Sequence, residues 1–121
     1  MSTRARLSFG IRFPPCETPQ ATARFAQQAE NAGFDWIWAV DSPLLAGGLF
    51  DPYVDLATCA AHTRRVRLGP AVSPLGLRTP VATAAAILSL DRLSGGRAVL
   101  GLGSGGSALV TLGVARHPDL T

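Results

Sequence analysis

Short apolar runs alternate with longer, mixed segments four times along this chain of 121 residues. The apolar runs begin near Leu7, Asp35, Val66 and Arg97, so that neighbouring runs start about 30 residues apart. A strand, a crossover helix and two short loops together occupy a segment of that length. The pattern therefore predicts a repeated β/α unit, in which parallel strands are joined by helices that pack outside the sheet.

Each predicted helix begins with a capping side chain followed by proline. The pairs are Thr18-Pro19, Asp51-Pro52 and Thr79-Pro80. The oxygens of threonine and aspartate accept hydrogen bonds from the first amides of a helix, and proline at the first helical position loses no hydrogen bond. Gly33 and Gly95 can adopt the left-handed conformation that ends a helix. We therefore expect these glycines to close the first and third helices.

The third helix and the strand that follows it form the clearest unit. Val81, Ala84, Ala85 and Leu88 have the spacing of a single apolar stripe, which we expect to be the buried face of the helix. The run 98–103 (AVLGLG) is short and apolar, which is typical of a strand covered on both faces.

These units predict an α/β fold built from the parallel (β/α) units of a TIM barrel. A barrel of eight units needs roughly 250 residues, so that about four of eight are present and the chain is a half-barrel. We expect residues 1–121 to form one domain, the N-terminal half of such a barrel in truncated form.

Alternation along the strands predicts which side chains face the barrel interior. Small side chains suit the crowded interior, and bulky ones, such as Trp36 and Trp38, suit the helix layer. A bulge would invert part of this assignment, and Pro70, which cannot donate to the ladder, predicts irregular pairing in the third strand. The predicted inward set is Ser8, Gly10, Arg12, Ile37, Ala39, Asp41, Gly69, Ala71 and Ser73.

Composition excludes several classes of function. Charged residues make up 16% of the chain and the net charge is +3, with scattered arginines and no lysine, which argues against a nucleic-acid surface. Cys16 and Cys59 form neither a disulfide framework nor a metal pattern. Neither an apolar run of about 18 residues nor a signal-peptide core is present, so we expect a cytoplasmic protein without a metal site.

The carboxyl ends of the strands are the expected position of the active site in a parallel barrel. Asp41 ends the second strand and Arg12 the first, which makes them a candidate acceptor or base and a candidate anion anchor. The alternatives are that Asp41 caps its own loop and that Arg12 pairs with it. His62 lies within the second helix, away from this edge, and we expect a surface or packing role for it.

Residues 101–106 (GLGSGG) follow the fourth strand and satisfy the G-x-G-x-x-G pattern. That pattern marks a dinucleotide site when it follows the first strand of a nucleotide-binding unit, with an acidic residue about 20 positions later. Here it follows the fourth strand. A glycine turn that faces a flat ligand or a phosphate is the preferred interpretation.

Four segments of the chain resemble the bacterial-luciferase-like oxidoreductase superfamily. They are residues 90–97 (LDRLSGGR), 100–105 (LGLGSG), 29–38 (AENAGFDWIW) and 68–74 (LGPAVSP). Residues 107–109 (SAL) and 112–113 (LG) are similar to the branch that uses the deazaflavin coenzyme F420, the methylenetetrahydromethanopterin-reductase type. Monooxygenases that use FMN share most of the four longer strings.

The resemblance implies a flavin or deazaflavin ring that lies across the carboxyl ends of the barrel strands. It also implies a bulge in the third strand with a cis peptide bond at Ala71-Val72, and contact between the ring and Asp41, which would also be catalytic. Gly106 stands where the deazaflavin branch often has aspartate. The implied cofactor-binding residues are Asp41, Ser42, Ala71, Val72, Ser73, Gly103, Ser104 and Gly105, and Arg12 is the candidate for substrate binding.

The function that follows from the resemblance is hydride transfer between reduced coenzyme F420, or alternatively FMN, and a small organic substrate. The other hypothesis is a non-catalytic, truncated half-barrel or interaction module that cannot bind the cofactor alone. Because a half-barrel leaves two sheet edges unpaired, we also expect a homodimer or association through these open edges.

Overall fold

The structure, a computed structural model, describes residues 6–13, 18–42 and 50–115. Cys16 and His117 lie outside these ranges. The elements in chain order are β1 (Gly10–Arg12), α1 (Pro19–Asn31), β2 (Trp36–Ala39), α2 (Pro52–His62), β3 (Arg67–Pro70), β4 (Ser73–Pro74), α3 (Pro80–Ser94), β5 (Leu102–Gly103) and α4 (Gly106–Thr111).

The three predicted helix starts are confirmed by their caps. The Thr18 Oγ1 atom accepts from the amide of the third residue beyond it at 3.1 Å, and Thr79 Oγ1 does the same at 3.2 Å. The Asp51 Oδ1 atom accepts from the amide two residues later at 2.9 Å. Gly95 ends α3 in the left-handed conformation, with φ of 70°, and Gly33 has φ of 92° just beyond α1. Capping chemistry alone thus places these boundaries.

The strands form a parallel sheet in chain order. β1 pairs with β2 and β2 with β3, with Ile37 beside both Ile11 and Leu68. Residues 97–103 run parallel to residues 68–75: Ala98 bridges Leu68, and β5 pairs with β4. The predicted fourth strand is therefore present, interrupted between two pairing segments.

A bulge lies between these two segments, as the resemblance implied. Leu68 is opposite Ala98, whereas Ser73 is opposite Leu102, so the third strand contains one residue more than the fourth. The peptide bond between Ala71 and Val72, inside the bulge, is cis. Parallel strands in chain order with helices packed on one face confirm the α/β units of a partial barrel.

The prediction of which β2 side chains face the barrel interior and which face the helices is wrong. Ile37 and Ala39 are buried in the core between sheet and helices, whereas Trp36 and Trp38 lie on the opposite face, stacked with ring centroids 5.3 Å apart. The physical reason is space. Glycines at positions 10 and 69 of the flanking strands make room for the indoles. The core residues of the helix side include Phe13, Ala26, Ala29, Ile37, Ala39, Leu56, Cys59, Ala60, Val66, Leu68 and Leu90.

The predicted buried face of α3 is also wrong. Val81 and Leu88 are 79% and 61% exposed. The buried residues of α3 are Thr83, Leu90 and Ser94, with Ile87 packed against the core. Two of these side chains, Thr83 and Ser94, are polar, and Ser94 is held by a hydrogen bond from its Oγ to the Asp91 carbonyl, so hydrophobicity alone misplaces the stripe.

Candidate functional site

A cavity of about 410 Å³ opens at the carboxyl ends of the strands. This volume is within the usual range of small-molecule sites, about 300–1,000 Å³. Three segments enclose it: the residues that end β2, the bulge with its cis peptide bond, and the glycine turn that leads into α4. The lining residues are Val40, Asp41, Ser42, Ala71, Val72, Pro74, Gly103, Ser104, Gly105, Gly106, Ser107 and Ala108.

The bulge sets one wall of this cavity. In a regular strand, neighbouring side chains face opposite sides of the sheet, but Ala71 and Val72 both line the cavity. Ser73 then points to the helix side and is 1% exposed. Ser73 was predicted to face inward, and the extra residue of the bulge is the reason that it does not.

The glycine turn continues this wall, because it packs directly against the bulge. A Cβ atom at Gly103 would lie 2.5 Å from a methyl carbon of Val72, and one at Gly105 would overlap the Pro74 ring. Gly105 also has φ of 76°, which favours glycine. These glycines therefore line the cavity and permit the contact between turn and bulge, a use that the sequence pattern alone does not reveal.

Asp41 is buried at the cavity wall and is held by three hydrogen bonds. Its Oδ2 atom accepts from the Ser73 hydroxyl at 2.7 Å and from Nε of Arg78 at 3.0 Å. Its Oδ1 atom accepts from Nη2 of Arg78 at 3.4 Å. One alternative interpretation of the sequence paired Asp41 with Arg12, but the arginine that Asp41 contacts is Arg78. The side chain of Asp41 is thus held in one orientation and is only 1% exposed.

Tyr53 and Asp51 extend this arrangement onto α2. The Tyr53 hydroxyl donates to Ser73 Oγ at 3.2 Å, and burial raises the pKa of the phenol. The guanidinium of Arg78 lies over the Tyr53 ring, 4.9 Å from its centroid, and also donates to Asp51 Oδ2. Burial lowers the pKa of Arg78, but its hydrogen bonds to Asp41 and Asp51 outweigh this and raise the pKa above its ordinary value.

The structure brings most of the predicted site residues together. Of the eight predicted cofactor-binding residues, seven line the cavity, and Ser73 lies behind its wall. Arg12 is exposed on β1 and makes no hydrogen bond to another described residue. His62 ends α2, exposed, with Nδ1 beside the Thr58 carbonyl.

Sequence reasoning missed Arg78 and Tyr53. A signal for Arg78 exists, since it directly precedes the cap of α3 and therefore lies at the carboxyl edge of the sheet. Tyr53 carries no comparable signal, because it reads as an ordinary aromatic residue of an amphipathic helix.

In residues 6–13, 18–42 and 50–115 there is no group of three side chains suited to a metal ion. Among the helices of the same ranges, none has the length and apolarity needed to cross a membrane.

The cavity suits a flat, largely apolar ring. Its lining consists largely of small side chains and glycines, together with Val40, Pro74 and Val72, which is 40% exposed. Asp41 and Ser42 supply polar groups at one edge, and Ser104 and Ser107 at the other. Small-molecule sites commonly combine apolar lining residues with a few polar groups that fix the orientation of the ligand, and a planar heterocycle can bind in this way.

A family model described as luciferase-like monooxygenase matches residues 3–119. The chain belongs to the luciferase-like monooxygenase family. This membership confirms the resemblance inferred from the motifs at 90–97 and 100–105.

Luciferase-like relatives of the chain differ in chemistry and are longer. A candidate coenzyme F420-dependent oxidoreductase of Mycobacterium tuberculosis is 41% identical over 110 residues, 91% of this chain and 30% of that protein. The 4-hydroxyprotoasukamycin monooxygenase of Streptomyces nodosus subsp. asukaensis is 32% identical over 109 residues, 83% of this chain and 29% of that protein. The coenzyme F420-dependent tetrahydromethanopterin reductase of Methanopyrus kandleri has a similar structure, with a TM-score of 0.81 and 33% identity over 90% of this chain and 30% of that one. The chain thus spans about three tenths of the length of these relatives.

Proposed function

We propose that this protein is an oxidoreductase that binds the ring of coenzyme F420 in the cavity lined by the bulge and the glycine turn, and that it supports hydride transfer between the reduced ring and a small organic substrate. The observation that carries the proposal is the cavity at the carboxyl ends of the strands, which is lined by the bulge, the glycine turn and Asp41. Two of the similar proteins described above are named for coenzyme F420.

The residues of the chain would orient the ring rather than react with it. Ala71 and Val72 would contact the ring, and Gly103 lets the glycine turn pack against Val72 and continue the same surface. Asp41 presents Oδ1, which accepts a single long hydrogen bond from the described residues, to a polar edge of the ring. When bound, the ring supplies the hydride chemistry. Arg12, exposed at the end of β1, remains our candidate for an anionic group of the substrate.

FMN is the alternative ring, because a monooxygenase is also among the similar proteins. Parallel fluorescence titrations of the purified protein with coenzyme F420 and with FMN distinguish the two. We expect saturable binding of F420 in the micromolar range; saturable binding of FMN alone would replace F420 by the flavin in this proposal.

A cavity-filling substitution tests where the ring binds. Ala108→Phe places a large side chain in the cavity from α4, and we expect it to weaken ring binding about tenfold or more, since the added volume must be displaced. Ala85→Phe, at an exposed position of α3, is the matched control and should leave the dissociation constant unchanged. Equal affinities for the two variants would place the ring elsewhere.

The second hypothesis is a module that binds no cofactor by itself. Failure of the purified chain to bind either ring would support it. A cytoplasmic location and self-association remain predictions of the sequence.

A further inference from the structure

Four side chains form a closed circuit behind the bulge wall. Asp41 accepts from Ser73 and from Arg78; Ser73 in turn accepts from Tyr53; and the Tyr53 ring lies under the guanidinium of Arg78. Three of the four are almost completely buried, with exposures of 2% for Asp41, 1% for Ser73 and 8% for Tyr53. The circuit joins the end of β2, the first turn of α2, the bulge and the residue before the α3 cap.

We propose that Arg78 is a positioning residue, which holds the bulge wall of the cavity in place through Asp41, Tyr53 and Ser73. This inference rests on the proposed function insofar as the wall contacts a bound ring. Arg78 itself stands behind the wall, so it acts through the residues that it orients.

The argument starts at Ser73, which directly follows Val72. Its hydroxyl is held from two sides, because it donates to Asp41 at 2.7 Å and accepts from Tyr53 at 3.2 Å. Two hydrogen bonds of different direction fix the side chain and hence the backbone that carries it. The neighbouring Val72 side chain is thereby kept turned towards the cavity.

Arg78 anchors both partners of Ser73. It donates to Asp41 through Nε and Nη2, and its Cζ atom lies 4.9 Å from the centroid of the Tyr53 ring. It also donates to Asp51, whose Oδ1 caps the amide of Tyr53 at 2.9 Å. A guanidinium makes these contacts together because it is planar and carries several donors in fixed directions, which a lysine ammonium does not offer.

An anion-binding role for Arg78 fits the site less well. The residue borders a second cavity, of about 450 Å³, which Asp41 also lines. An arginine beside a cavity can hold a carboxylate or phosphate, but this guanidinium already bridges Asp41 and Asp51. One positive and two negative charges leave the cluster with a net charge of about −1, which disfavours a further anion.

The test compares Arg78→Lys with Arg97→Lys. Arg97 lies at the opposite end of the sheet, where it donates to the carbonyl oxygens of Ala60, Thr63, Val66 and Ser94. Both variants keep the positive charge and lose several hydrogen bonds of the planar guanidinium group, so both should lower the melting temperature. Only a positioning role predicts a difference between them at the bulge.

Amide hydrogen exchange of the ligand-free protein gives the first readout. The amides of Ser73 and Leu75 donate to Gly101 and Gly103 at 2.7 and 3.1 Å and are therefore protected. We expect Arg78→Lys to speed their exchange about tenfold or more, beyond any change shared with amides of α1, and Arg97→Lys to leave them as in the wild type. Unchanged exchange in Arg78→Lys overturns the proposal.

Ring binding gives the second readout. The dissociation constant for F420 or FMN should rise about tenfold or more in Arg78→Lys, and the visible circular dichroism of the bound ring should change, while both stay at wild-type values in Arg97→Lys. Faster amide exchange together with unchanged ring binding and dichroism would overturn the proposal. So would a second result: inorganic phosphate competes with the ring in the wild type but no longer does so in Arg78→Lys.

Two further arms keep the test decisive. If Arg78→Lys does not fold, Tyr53→Phe removes only the hydroxyl that holds Ser73 and should change exchange and binding in the same direction, to a smaller extent. If the wild type binds neither ring, the proposed function fails, and amide exchange alone then decides whether Arg78 holds the wall.

Discussion

Asp55 is a buried carboxyl group at the contact between α1 and α2. It is 9% exposed and has one hydroxyl partner, Thr22, whose Oγ1 donates to Oδ1 at 3.3 Å. Burial raises the pKa of Asp55. A raised pKa in the folded state means that the stabilising contribution is present below the unfolded pKa and is lost as pH rises through the folded pKa.

Replacement of this carboxyl group by an amide should stabilise the protein at neutral pH. Asp55→Asn keeps the shape and an acceptor for Thr22, removes a buried charge, and gives up a helix-dipole contribution of about 0.3–1 kcal/mol. We expect a net gain on the order of 1 kcal/mol in the free energy of unfolding at pH 7, which shrinks towards zero as the pH falls and wild-type Asp55 becomes protonated. Urea unfolding at both pH values checks this; a gain that persists at low pH would mean that charge is not the cause.

For the polar residues of the site, the sequence predicted where each lies along its strand but not which side chains it contacts. Asp41 could be placed at the carboxyl edge from its place after an apolar run. Its partners could not, because Ser73 and Arg78 lie more than thirty positions later and meet it only when three loops converge. The same contacts bury the Asp41 side chain, which the position of Asp41 along the chain does not indicate.

At the level of elements, one carboxylate organises the connection between α2 and β3. Glu30, in the last turn of α1, accepts hydrogen bonds from the backbone amides of Arg64, Arg65 and Val66 at 2.6–3.1 Å. Burial alone would raise the pKa of Glu30, but the three amides and the charge of Arg65 lower it overall. This interaction fixes the entry of the third strand.

Glu30→Gln should therefore destabilise the protein, the opposite of Asp55→Asn. A lowered folded pKa means that the contribution is present above the unfolded pKa and is lost as pH falls through the folded value. We expect a loss of about 1–3 kcal/mol at pH 7, which diminishes at acidic pH, where the wild type loses the same charge. Unfolding by urea at the two pH values, with Asp55→Asn measured beside it, provides the check. A loss in the free energy of unfolding that is the same at both pH values would mean that the shape of the side chain, and not its charge, is the cause.

The order of the β/α units and the ends of α1, α2 and α3 were predictable, whereas α4, the facing of β2 and the buried face of α3 were not. Caps and glycines act locally, so Thr79 and Gly95 define α3 wherever it packs. The face of the sheet on which a side chain lies depends on the space that residues of the neighbouring strands leave for it. Trp38 lies on the face of β2 that was assigned to small residues because Gly10 and Gly69 stand beside it, and sequence alternation contains no information about neighbours on other strands.

For the whole molecule, the sheet ends in two edges without a partner strand among the described residues. The outer edge of β1 and that of β5 expose backbone groups, and Phe9, just before β1, is 60% exposed. Open parallel edges are templates for pairing with another chain. Self-association therefore remains our expectation for the isolated chain.

A lysine at the edge should reduce this association. We expect Phe9→Lys to shift the sedimentation profile towards monomer, because a charged side chain opposes edge pairing. Val54→Lys, on α2 at a similar exposure of 59%, is the control for charge and should have little effect. A wild type that sediments as a well-folded monomer when dilute and when concentrated would contradict the expectation.

The contact between the glycine turn and the bulge links two segments that are thirty residues apart in sequence. Since Gly103 leaves no room for a Cβ atom beside Val72, and Gly105 none beside Pro74, a larger residue on one side must be matched by a smaller one on the other. Substitutions at these positions are therefore non-additive in pairs. A lineage that reshapes this cavity for another ring or substrate must change both walls together, and laboratory libraries that vary only one of them will sample mainly misfolded or unchanged sites.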